Sequence, residues 1–123
     1  MAVMGLLLAV ALPALQSARE SARRTACGNR LRQIGAGLHA YHVAHKAFPP
    51  GGVEWRSPAD RSRTKRQLAW SAFLLPFIDE PAVFRQLDFS KAFDAPENAG
   101  GATQVISTYL CPSAARTAAR DGS

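Results

Sequence analysis

MAVMGLLLAVALPALQSARESARRTACGNRLRQIGAGLHAYHVAHKAFPPGG, residues 1–52, carries no charge before Arg19 and then becomes basic and amphipathic. No proline interrupts it from Ala14 to Lys46, and Pro49, Pro50, Gly51 and Gly52 close it. Prolines stop a helix and glycines turn the chain, so the end is sharply marked. Within the run, Leu15, Ala18 and Ala22 form one stripe. Cys27, Leu31, Ile34, Leu38, Tyr41 and His45 then recur at alternating steps of four and three, the spacing of one helical face. Arg23, Arg30 and Arg32 read as the opposite, solvated face. The pattern predicts a spine helix over residues 14–46 that continues an apolar segment, residues 1–15. Leu31, Ile34, Leu38 and Tyr41 form the face expected to pack on a headpiece.

The apolar segment, with Leu6, Leu7, Leu8, Val10, Leu12, Pro13 and Leu15, reads as a membrane anchor. Fifteen helical residues rise about 22 Å, short of the roughly 30 Å hydrocarbon core. Three readings compete: a signal peptide, a buried core helix, or the trailing part of a longer transmembrane helix. No basic region precedes the segment and no clear cleavage site follows it, which counts against the first. The third is adopted, with Met1 inside a longer original chain. Pro13 suits a membrane helix, where neighbours make good the lost hydrogen bond. Arg19, Arg23 and Arg24 oppose this reading, since on their own they would hold the following domain in the cytoplasm.

A chain of 123 residues has room for one small domain, and 47% apolar content excludes a disordered protein. The net charge of +6 is uneven: residues 19–66 hold 11 Lys and Arg against 3 acids, whereas residues 67–123 hold 4 against 6. Such a basic half can meet nucleic acid, an anionic membrane or only solvent. No helix-turn-helix, zinc-finger or aromatic-basic pattern accompanies it, so nucleic acid is not expected as a partner. Cys27 and Cys111 are too few and too far apart for a structural zinc site. They are free thiols in a cytosolic protein and a possible disulfide outside the cytoplasm.

His39, His42 and His45 end the helix, and pairs three apart could share a metal. His39 and His45 lie more than 100° apart around the helix, however, and no acid is close in sequence. No metal site and no cofactor is expected. Residues 53–67 read as a mobile polar loop. Gln67 to Ile78 is a buried strand or short helix, either being allowed by its length. Asp79, Glu80 and Pro81 read as a helix start with Phe84 and Leu87 buried behind it. Asp88 to Gly101 reads as loop, and Ala102 to Tyr109 as a short helix or strand. No nucleophile–base arrangement, HExxH or phosphate-cradling loop occurs, so no enzymatic activity is expected.

Taken in order, Leu12 to Arg24, Cys27 to Gly35, Leu38-His39-Ala40-Tyr41-His42, Phe48-Pro49-Pro50-Gly51, Trp70 with Leu74 to Ile78, and Leu110-Cys111-Pro112-Ser113 resemble the planctomycete DUF1559 family. Members of that family are similar at their N-termini to type IV pilins and type II secretion pseudopilins. The resemblance implies a basic leader inside the cell and a body outside it. It also implies an oxidising compartment for Cys27 and Cys111, which favours their pairing. Lys46 stands where the family often has glycine. The resemblance further implies a chain truncated at both ends, lacking the prepilin cleavage site and a C-terminal sheet region.

The expected architecture is therefore α+β: an anchor at residues 1–15, a spine helix at 14–46, a small incomplete headpiece at 47–113 and a disordered tail at 114–123. The expected function is that of a membrane-anchored, pilin-like surface or periplasmic protein. Its partners would be the membrane and other pilin-like subunits, met through the N-terminal helix. An extracytoplasmic solute- or polymer-binding module is the alternative, with His39, His42 and Trp70 as its possible ligand site, joined by Trp55.

Overall fold

The computed structural model describes residues 1–52 and 68–114. One helix dominates: α1 runs unbroken from Ala2 to His45, through Pro13. The remaining elements are short. They are α2 (Trp70–Leu74), a 3-10 turn (Leu75–Phe77), α3 (Pro81–Phe84), a second 3-10 turn (Pro96–Asn98), α4 (Ala99–Ala102) and a third (Ser107–Tyr109). The chain divides into two compact units: Met1–Arg32 with the described residues from Thr108 onward, and Gln33–Ser107.

The expected α+β fold is not what forms. Among the described residues no strand is present, and the one pairing of that type is an isolated antiparallel bridge between Gly52 and Ala69. The physical reason lies in the apolar run that could have been strand or helix. Its buried residues are Leu68, Ala72, Leu74, Leu75 and Ile78. Ala72 and Leu75 stand three apart and Leu74 and Ile78 four apart, and the adjacent Leu74 and Leu75 are both buried, which strict alternation does not allow. Pro76 also lacks the N–H that an interior strand position must donate. The expected mobile loop at 53–67, and all but its first residue of the expected tail, lie outside the described residues.

In the unit Gln33–Ser107, the closing part of α1 packs through a glycine. Gly37 is the one buried residue of α1. A Cβ built there would lie 2.8 Å from Ile78 Cγ2, 3.3 Å from the Phe77 carbonyl oxygen and 3.4 Å from Leu74 Cγ. The absence of a side chain therefore sets how closely α1 approaches the 3-10 turn. Ile34, Leu38 and Tyr41 flank the contact and are half-buried. Leu31, expected on the same packing face, is instead 65% exposed.

Two backbone reversals use left-handed residues. Lys46 (φ 59°) ends α1, donating its N–H to the His42 carbonyl at 2.8 Å. Asp79 (φ 63°) turns the chain between Phe77 and α3, and aspartate tolerates this conformation better than most residues. Pro81 then occupies the first turn of α3, where its missing N–H costs nothing. Val83 is the buried residue of α3, while Phe84 and Leu87 are half-buried.

The segment Asp88–Gly101, expected to be loop throughout, is organised around a fully buried Asn98. Its Oδ1 accepts from the Asp88 N–H at 2.6 Å, and its Nδ2 donates to the carbonyls of Asp88 (3.0 Å) and Ala92 (2.8 Å). One side chain thereby closes a ten-residue excursion and leaves none of its own polar atoms unsatisfied. Phe89 rests between Phe73 and Phe84, with centroids 4.9 and 5.0 Å away.

Candidate functional site

The first half of α1 presents apolar side chains on every side. Leu6, Leu7, Leu8, Val10, Leu12 and Leu15 are each more than half exposed. An 18-residue stretch near the N-terminus is long and apolar enough to cross a membrane, and none of it is buried. Eighteen residues rise about 27 Å, close to a hydrocarbon thickness. The fifteen-residue count fell short because it stopped at Leu15, whereas the uncharged helix continues through Gln16, Ser17 and Ala18 before Arg19.

Beyond this stretch the same unit carries a polar strap. Residues 110–113 are fixed to α1 at three places. The Ser113 hydroxyl donates to Glu20 Oε1 at 3.1 Å. The Cys27 thiol hydrogen-bonds the Cys111 sulfur. The Arg30 guanidinium donates to the Leu110 carbonyl. Strap and helix numbers run in opposite directions, so Leu110-Cys111-Pro112-Ser113 lies antiparallel to α1. Glu20 also holds Arg23 (3.3 Å) and Arg24 (3.6 Å), which ties two of the three arginines nearest the apolar stretch to a carboxylate. Thr108 is buried at the start of the strap. Beside it, burial pushes the Tyr109 phenol up to about 12.

The electrostatics of the two cysteines differ. The hydrogen bond from Cys27 holds Cys111 below the ordinary thiol value, and the backbone N–H groups of Ser113 and Ala114 and the Arg30 charge act the same way. Cys27, as the donor in that pair, is held above its ordinary value. Both residues are half-buried. The sequence pattern did not single out Glu20 or Arg30 as contacts of residues 110–113, and it placed Arg30 on a solvated face opposite Cys27. The signal was available: Glu20, Cys27 and Arg30 are spaced by seven and three, which puts all of them on one side of a helix.

The histidines face aromatic rings. His39 and His42 both approach Phe48, with centroids 6.4 and 4.8 Å away. His45 stacks on Tyr41 at 4.1 Å, and its Nδ1 lies 3.2 Å from the Tyr41 carbonyl oxygen. Among the described residues no group of three His, Cys, Asp or Glu side chains could hold a metal. Trp70 is 37% exposed at the start of α2, and Trp55 lies outside the described residues.

The model of a family described as a protein of unknown function, DUF1559, matches residues 16–123. No curated protein and no solved structure matches the chain.

Proposed function

The chain belongs to the DUF1559 family, and from that premise we propose that it is a non-enzymatic, pilin-like protein held in a membrane by the first part of α1, its body outside the cytoplasm. The observation that supports this reading is the exposure of the apolar half of α1 on all its faces. The core helix of a soluble protein buries such residues. Fully burying one Leu or Val stabilises by roughly 1.5–3 kcal/mol, so the six from Leu6 to Leu15 amount to on the order of 10 kcal/mol. Immersion in a bilayer recovers that free energy.

The continuity of α1 supports the pilin-like part of the proposal. The helix runs from the apolar stretch past Arg19 to His45 without a break, as the spine helix of such a protein does. In such a protein the apolar stretch packs laterally against the corresponding helices of similar subunits. Outside the cytoplasm, Cys27 and Cys111 meet oxidising conditions.

Fractionation of cells expressing the full-length gene product, with an alkaline wash of the membranes, tests the anchor. The protein is expected in the washed membrane pellet, with its body open to protease added to spheroplasts. Recovery in the soluble cytoplasm would refute the proposal. A mature protein whose N-terminal mass lacks the apolar stretch would show a cleaved signal sequence in place of an anchor.

A further inference from the structure

Arg19 is the first charge after the apolar stretch, and Arg23 and Arg24 follow within five residues. All three are exposed, the side chains of Arg23 and Arg24 by 53% and 80%. They share one compact unit and one unbroken helix with the apolar stretch. From Arg19 to Arg24 that helix rises about 7.5 Å. The headgroup layer on each side of a roughly 30 Å hydrocarbon core is about 5–8 Å deep. With the apolar stretch in the core, the three arginines stand in that layer. We propose that they bind the headgroup phosphate of an anionic phospholipid. The inference rests on the membrane reading and adds to it the class of lipid and the residues that recognise it.

Three features of the helix carry the proposal. Every Cα–Cβ bond of a helix tilts toward its N-terminus. In α1 that is the side of the apolar stretch, so the arginine stems lean back toward the bilayer. Around the axis Arg23 and Arg24 lie about 40° and 140° from Arg19. The charges therefore fill one sector, and Ala18, Ser21, Ala22 and Thr25 fill the opposite one. Glu20 lies inside the charged sector and engages one nitrogen of Arg23 at 3.3 Å and one of Arg24 at 3.6 Å. One carboxylate against three guanidinium groups leaves +2 over residues 19–24. A guanidinium has five N–H donors, so both paired arginines keep donors for a second acceptor. Its planar fork matches two phosphate oxygens and is weakly hydrated. Phosphatidylcholine presents the same phosphate beside its own ammonium group. The surplus positive charge of the sector selects a lipid that lacks that ammonium.

The test uses the purified full chain in nanodiscs of equal phosphatidylcholine and phosphatidylglycerol. Native mass spectrometry counts the lipids that stay bound. Phosphatidylglycerol is expected to be retained at least ten-fold over phosphatidylcholine. Each of Arg19→Gln, Arg23→Gln and Arg24→Gln should lower that ratio about five-fold, the effect of one cation at an anionic leaflet. Arg→Lys at the same positions should lower it less, and Glu20→Gln should raise it. A chain that stays out of the nanodisc would refute the membrane reading together with this one. Insertion without phosphatidylglycerol enrichment, or the same enrichment in the triple Gln variant, would overturn this inference alone. Loss of the bound lipid to 10 mM inorganic phosphate, at constant ionic strength, would overturn it in favour of a site for free anions. Where a variant fails to fold, the wild-type ratio decides: it should fall several-fold as sodium chloride rises from 50 to 500 mM, and a ratio indifferent to salt would overturn the inference.

Discussion

Ser113 and Glu20 lie 93 positions apart in the chain, yet the serine hydroxyl donates to the glutamate at 3.1 Å. The same carboxylate pairs with Arg23 and Arg24, so it serves α1 and the strap together. These are exposed interactions. A single such hydrogen bond contributes about 0.5–1 kcal/mol, and exposed ion pairs add roughly 0–1 kcal/mol and weaken in salt. Ser113→Ala is therefore expected to raise amide exchange across residues 110–114 by a few-fold. Glu20→Ala should do so more strongly at low salt than at high salt. Unchanged exchange in both variants would show that Glu20 does not hold the strap.

At Gly37 the expected effect is larger. An added Cβ would sit 2.8 Å from Ile78 Cγ2, with the Phe77 carbonyl behind it at 3.3 Å. Overpacking costs about 1–3 kcal/mol, against which Ala regains roughly 1 kcal/mol of helix propensity. Gly37→Ala should lower the urea midpoint modestly and Gly37→Val clearly. A Val variant as stable as wild type would mean that α1 does not make this contact.

Lys46 predicts the opposite sign. It holds φ 59° at the end of α1, where a Cβ is a liability and glycine is at ease. Lys46→Gly is expected to stabilise the protein by about 1 kcal/mol, while Lys46→Ala leaves it near wild type. Calorimetry reads both. A destabilised glycine variant would contradict the assigned cap.

Asp88 gives a dependence on pH. Its Oδ1 accepts from the Ser90 hydroxyl at 2.5 Å and the Ser90 N–H at 2.9 Å, which holds the carboxyl below its ordinary value. A depressed folded-state value means that the contribution is present above the unfolded aspartate value of about 3.9. It is lost as pH falls through the folded one. Titration of the Asp88 carboxyl by NMR should show the low value, and Ser90→Ala should move it upward. A titration already at the ordinary value would exclude the bonds.

Leu8→Arg tests the anchor directly. Arg at the centre of a spanning helix costs about 2.5–3.5 kcal/mol on insertion scales, where Leu is favourable by a few tenths. The variant is expected to shift protein from the washed membrane pellet toward the soluble or degraded fraction. An equal change at Val43, exposed near the far end of α1, should leave the distribution unaltered.

How much of this was legible depends on the range of each interaction. Helix periodicity and the absence of proline from Ala14 to Lys46 marked α1 to within one residue of its observed end at His45. The acid–acid–proline triplet at Asp79 correctly marked the start of α3. Both are local signals. Gly37 escaped notice because apolar periodicity counts side chains, and the packing here turns on a missing one. Leu31 fitted the stripe and is exposed all the same, since a stripe says where a partner could lie and not how far that partner reaches. The length of Gln67 to Ile78 left strand and helix both open, and only the observed burial of Leu74 and Ile78, four apart, decided for helix. Arg30 and Glu20 show the same limit: their partners stand 80 and 93 positions away.

The strap also has a mechanical meaning. Its three attachments, at Glu20, Cys27 and Arg30, are spread over ten helical residues, about 15 Å of axis. A tension drawn along that axis loads all three at once, in shear. A force lifting either end of the strap meets them singly, as in peeling tape. The attachment is therefore anisotropic: it resists sliding along the helix far better than it resists being raised from it.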